Sequence, residues 1–146
     1  MDIPEPEDLP VILVSNRQDL PLDEATLAAL ARTTLVGEGQ GAVELSVSFV
    51  DEDEITDLHV RYLGEPGPTD VLSFAQDEEG EQIRVLGDVV LCPAVAARNN
   101  PGDPAAEVRL LLVHGILHLL GYDHERDADR VHMWARQQRY SGVAAL

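Results

Sequence analysis

The segment Leu110-Leu111-Leu112-Val113-His114-Gly115-Ile116-Leu117-His118-Leu119-Leu120-Gly121-Tyr122-Asp123-His124 constrains this chain more than any other. With its inner histidines set aside, it is apolar around nearly its whole circumference, so as a helix it has to be central and buried. His114 and His118 stand four residues apart and project from one face, one turn from each other. That spacing lets both imidazoles reach a single zinc ion at about 2.0–2.1 Å. Gly121 stops the helix by tolerating a left-handed backbone, and the reversal that follows can return His124 as a third ligand. Burying three imidazoles without partners is costly, and one zinc ion resolves that cost. Three protein ligands with a fourth position left open is the pattern of a catalytic zinc. Asp123 or Asp127 is placed to accept the second ring proton of a ligand histidine; a solvated helix start is the plainer reading of Asp127.

The rest of the chain supplies a scaffold for such a helix. Residues 1–9 read as an acidic flexible leader and 10–146 as one domain. Val11 to Val14 is a short apolar run suited to an edge strand. Pro21-Leu22-Asp23-Glu24 has helix-start chemistry, Leu27, Leu30, Ala31 and Leu35 follow at helical spacing, and Gly37, Gly39 and Gly41 end the run. Val43, Leu45, Val47 and Phe49 alternate with Glu44, Ser46 and Ser48, the period of a half-buried strand. Asp51 is a cap for a helix over about 52–62 with Ile55, Leu58 and Tyr62 on one face. Two further strands are expected around Val71–Phe74 and Val85–Cys92, separated by an acidic loop over 76–82. A short helix over 93–97 precedes the long one beginning at Pro104, and a last helix over about 125–140 is expected to turn Val131, Trp134 and Ala135 inward. The expected fold is α+β, a mixed sheet of about four strands packed against helices, with the histidine-bearing helix at its centre.

Composition narrows the setting. Cys92 is the single cysteine, so neither an intrachain disulfide nor a cysteine-built metal cage is available. No apolar run approaches the roughly 20 residues of a membrane span, and the acidic, proline-broken start is no signal peptide. A cytoplasmic location with no membrane partner follows as the expectation. A formal net charge of −17 runs against nucleic-acid binding taken as an average. The acids are clumped, however, and all ten basic residues are arginine, the side chain best shaped for bidentate phosphate contact.

The spacing His-x-x-x-His-x-x-Gly-x-x-His is also that of metzincin peptidases, which carry a glutamate base directly after the first histidine. Gly115 stands there instead, so a peptidase would lack its proton acceptor.

Residues 114–124 resemble the signature of the YbeY family, bacterial zinc-dependent single-strand endoribonucleases that mature ribosomal RNA. Pro68-Thr69-Asp70-Val71-Leu72-Ser73-Phe74 is similar to that family's second motif and Leu86-Gly87-Asp88 to its third, in matching order over roughly residues 43–138. The resemblance implies one zinc ion on His114, His118 and His124, and cleavage of single-stranded RNA. It also implies a role at the 3′ end of 16S ribosomal RNA on the small ribosomal subunit, and in ribosome quality control. Two positions depart from the pattern. Leu63 replaces an arginine implicated in the family's function, and Ala75 replaces a proline after Phe74. Arg61 is the candidate for the missing catalytic arginine, with Arg109 and Arg98 in reserve, although a two-residue shift on a helix turns a side chain about 200°.

Thr69, Asp70 and Ser73 are candidates to line a substrate groove, with turn capping the plainer role for Asp70. His59 and His132 read as surface or core residues, and Trp134 and Tyr140 as core aromatics. Whether water or the RNA 2′-hydroxyl attacks phosphorus is left open, as is the oligomeric state. Two other readings stand beside the nuclease: a ribosome assembly or binding factor with a structural zinc, and a metzincin-like peptidase without its base.

Overall fold

The computed structural model describes residues 8–79, 83–122 and 126–143. Residues 1–7 of the expected leader, and His124 with its neighbour Asp123, lie outside them. The order of elements is β1 (Val11–Arg17), α1 (Glu24–Gly37), β2 (Val43–Val50), α2 (Glu52–Leu63), β3 (Val71–Glu79), β4 (Arg84–Leu91), α3 (Pro93–Asn99), α4 (Pro104–Leu119) and α5 (Asp127–Ser141).

Aspartates open three of the helices. The side chains of Asp23, Asp51 and Asp103 each accept a hydrogen bond from a backbone N–H of the first turn, at Thr26, Glu54 and Ala106 respectively. Pro104 follows Asp103 where its missing N–H costs nothing. Helix α4 ends in a Schellman arrangement: Gly121, at φ +96°, donates to the carbonyl of His118, and Tyr122 donates to that of Leu117.

The four strands form one mixed sheet in the order β1-β2-β4-β3, with β1, β2 and β4 parallel and β3 antiparallel to β4. The sheet is the expected α+β platform, with β1 at one edge. Alternation sorts its side chains onto two faces. Val43, Leu45, Val47 and Phe49 of β2, with Val89 and Leu91 of β4, meet Leu27, Ala31 and Leu35 of α1 and Leu112 and Ile116 of α4. Leu72 and Val90 point the other way, onto Ile55 of α2. Each such fully buried aliphatic side chain contributes about 1.5–3 kcal/mol. Helix α4 is central: α1 and the sheet lie along it, and Val113 and Leu117 on another side pack against Met133 of α5.

Two expectations fail. The expected acidic loop over 76–82 is largely strand, since β3 runs to Glu79, with Glu78 paired to Val85 and Glu79 to Arg84. The pairing partner overrides the polar composition, and an edge strand tolerates charge. On α5, Val131 (63% exposed), Trp134 (41% exposed) and Ala135 face solvent, while the inward row is Met133, Gln137 and Ser141. Two of those three are polar and are buried with partners, Gln137 on His114 of α4 and Ser141 on the Gln137 carbonyl, so hydrophobicity alone pointed to the wrong side.

Between Glu44 and Leu45 the register with β4 slips by one residue, leaving Leu86 unpaired on β2 and Gly87 at φ +144°. A Cβ at Gly87 would lie 2.1 Å from the carbonyl oxygen of Phe74. Only glycine fits this bulge. Among the described residues no helix is long and apolar enough to cross a membrane.

Candidate metal centre

Among the described residues, His114 and His118 emerge from a side of α4 that belongs neither to the sheet-facing core nor to the Met133 cluster, and both are half-buried. Their rings meet edge to face, with centroids 4.6 Å apart and planes at 78°. The backbone between them is held against the sheet. Ser73 Oγ of β3 donates to the Gly115 carbonyl at 3.1 Å, and a Cβ on Gly115 would lie 2.7 Å from Val89 Cγ1. That closeness explains why glycine follows the first histidine, and it leaves no room for a metzincin glutamate.

The residues present fit zinc. Two imidazoles one turn apart sit in the last turns of α4, where helix carbonyls favour a cation. The Nδ1 atom of His114 is already engaged by the Gln137 side chain of α5. A set of neutral nitrogen donors with one ring nitrogen so occupied suits this ion. Among the described residues no group of three histidine, cysteine or acidic side chains converges on a metal position; the third expected ligand, His124, is outside them. A cleft of about 310 Å³ lined by Leu120, Gly121, Tyr122, Asp129 and His132 opens beside the turn that leads to it.

The other sequence candidates are distributed. Arg61 lies on α2, the helix covering the opposite sheet face, exposed and paired with Asp57 at 2.9 Å. Arg98 is paired with Glu52. Arg109 reaches the Ser141 carbonyl at 3.5 Å and borders a cavity of about 560 Å³ between α1, α3 and the start of α4. Asp127, in the first turn of α5, pairs with Arg130. His59 bonds the Gly67 carbonyl at 3.0 Å, and His132 stacks on Tyr122. Asp70 accepts from Asn99 at 3.1 Å. Burial, together with the nearby Asp70 charge, pushes the Glu107 carboxyl above its ordinary value. On the opposite face, Asp88 accepts from Gln76 at 3.0 Å, and burial pushes its carboxyl up as well.

Two residues escaped the sequence reading. Gln137 touches a metal-ligand candidate, and Glu38 receives hydrogen bonds from both Tyr122 and Tyr140. The Glu38 side chain is 7% exposed. Burial pushes its carboxyl up, but the two hydroxyls, with Arg136 and Arg139 nearby, hold it net below its ordinary value. This cluster fastens α1 and α5 to Tyr122, two positions before His124 in sequence.

A family profile described as Endoribonuclease YbeY matches residues 13–143. The Endoribonuclease YbeY of Parafrankia sp. (strain EAN1pec) is 48% identical over 129 residues, covering 79% of this chain and 81% of that protein. The one from Thermobifida fusca (strain YX) is 47% identical over 135 residues, covering 85% and 87%. Among solved structures, the solution structure of TM1509 from Thermotoga maritima superposes with a TM-score of 0.60 at 31% identity, covering 90% of this chain and 87% of that one.

Proposed function

The chain belongs to the endoribonuclease YbeY family, and from that premise we propose that it is a zinc-dependent hydrolase of single-stranded RNA. Its proposed substrate is the ribosomal RNA of the small subunit, in maturation of the 16S 3′ end and in ribosome quality control. The observation that carries this reading is the edge-to-face pair of His114 and His118, half-buried on one side of α4. His114, His118 and His124 are the proposed ligands. Zinc held there supplies a Lewis acid for phosphodiester hydrolysis and lowers the pKa of nearby water toward neutrality.

The chain's own residues do the positioning. The Schellman turn at Gly121 ends α4 directly after His118, and the bond from Ser73 to Gly115 holds the helix between the two ligands against β3. Arg61 remains the sequence-based candidate for balancing phosphoryl charge. Because α2 covers the sheet face opposite α4, that role requires the RNA to reach around the β3 edge as well as the exposed ion pair with Asp57 to open, the latter costing at most about 1 kcal/mol. A peptidase reading finds no side-chain base after His114, because the packing at Gly115 admits none.

The test is elemental analysis of the purified protein, followed by incubation with single-stranded RNA, duplex RNA and casein, with and without added zinc. Zinc-dependent cutting of single strands, lost in His114→Ala with the fold intact, is the expected result. Casein cleavage with intact RNA would overturn the reading.

A further inference from the structure

Helix α5 is mostly polar, yet it docks on α4 through the row Met133, Gln137 and Ser141, spaced one turn apart. Met133 is fully buried against Val113 and Leu117, which flank the histidines in sequence. In the middle of that row Gln137 is 5% exposed. Placing a primary amide there is costly unless it is bonded, so its partner matters. That partner is the imidazole of His114, whose Nδ1 meets Gln137 Oε1.

The chemistry of this contact has one consistent arrangement. An amide oxygen has no hydrogen to give, so Nδ1 carries the proton and donates it. In the neutral ring the lone pair is then on Nε2. We infer that Gln137 is a positioning residue for the metal centre: it fixes the tautomer and orientation of His114, so that Nε2 is the nitrogen offered to zinc. The inference rests on the zinc reading above.

The helix end that carries the amide is tied down locally. Ser141 Oγ donates to the Gln137 backbone carbonyl at 2.5 Å, and Val143 N donates to Ser141 Oγ at 3.1 Å. With Met133 fixed one turn earlier, α5 cannot slide along α4 without breaking its apolar anchor, so the acceptor stays at a set distance from the ring. Gln137 is also neutral. Outer partners of metal-bound histidines are commonly carboxylates, backbone carbonyls or water. An amide orients the ring as a carboxylate does without adding a negative charge that would temper the electrophilic power of the metal.

Three measurements test this. In the metal-free wild type, nitrogen-15 NMR of the His114 ring is expected to show a protonated Nδ1 and an unprotonated Nε2; the reverse tautomer overturns the inference, and no variant has to fold for that result. Zinc affinity is then measured by competition with a chromophoric chelator. Gln137→Leu, which keeps bulk and removes the acceptor, is expected to bind about 10- to 100-fold more weakly. Gln137→Glu, which restores an acceptor, is expected to bind at least as tightly as the wild type. Wild-type affinity in Gln137→Leu, or equal weakening in both variants, overturns the role given to the amide while leaving the zinc assignment standing. A wild-type protein that binds no zinc overturns the zinc assignment and this inference together.

Discussion

The hydroxyl of Ser73 donates to the backbone carbonyl of Gly115 at 3.1 Å, tying edge strand β3 to the histidine helix between its two imidazoles. The approach is so close that a methyl group on Gly115 would lie 2.7 Å from Val89 Cγ1, 3.0 Å from Ser73 Oγ and 3.3 Å from Val71 Cγ2.

Gly115→Ala is therefore expected to destabilise the domain by about 1–3 kcal/mol through overpacking. That outweighs the roughly 0.5–1 kcal/mol that alanine gains over glycine inside a helix. Ser73→Ala removes the bond and one of the three close contacts, at a cost of about 0.5–1.5 kcal/mol. The double variant should lose less than the sum of the two, because part of the clash has gone. Urea melts of all four proteins check this; strict additivity would show that the two residues do not press on each other.

Gly87→Ala meets backbone rather than a side-chain tip. Its methyl would fall 2.1 Å from the Phe74 carbonyl oxygen, at a φ of +144°. Strain and overpacking together should cost at least about 2 kcal/mol. A variant that melts like the wild type would mean that Gly87 does not approach the Phe74 carbonyl this closely.

Glu38 ionises more easily in the folded protein than in the unfolded chain. Its contribution to stability is full above the ordinary glutamate range and is lost as the pH falls through the depressed folded value. Glu38→Gln is expected to cost about 1–3 kcal/mol at pH 7, because hydrogen bonds to a charged acceptor are the stronger kind. The deficit should shrink as the pH falls through that depressed value. Denaturation across that range decides it: a deficit independent of pH would remove the carboxylate from the account.

Removing zinc is expected to abolish RNA cleavage while leaving the fold in place. The main core is built from the sheet, α1 and the apolar sides of α4, and neither histidine belongs to it. Circular dichroism should be unchanged on chelation, and stability should fall only by the binding linkage, about 2.7 kcal/mol at a free zinc level 100 times Kd. Unfolding on chelation would instead favour an assembly factor with a structural metal.

Much of this arrangement could be read directly from the chain, because it depends on spacing over a few residues. A four-residue interval puts His114 and His118 side by side on any α-helix, and Gly121 ends that helix through bonds spanning at most five residues. Alternation marked β2, the segment Pro21-Leu22-Asp23-Glu24 marked the start of α1, Asp51 that of α2, and Pro104 that of α4. What only the tertiary structure decided is which distant residues meet. Gln137 lies 23 positions from His114 in a helix where Val131 and Trp134 face solvent, and the Glu38 side chain lies 84 positions from Tyr122. A buried polar side chain looks like a surface one in sequence. Its burial is made favourable by a partner on another element, and that partner is chosen by how the helices and sheet pack.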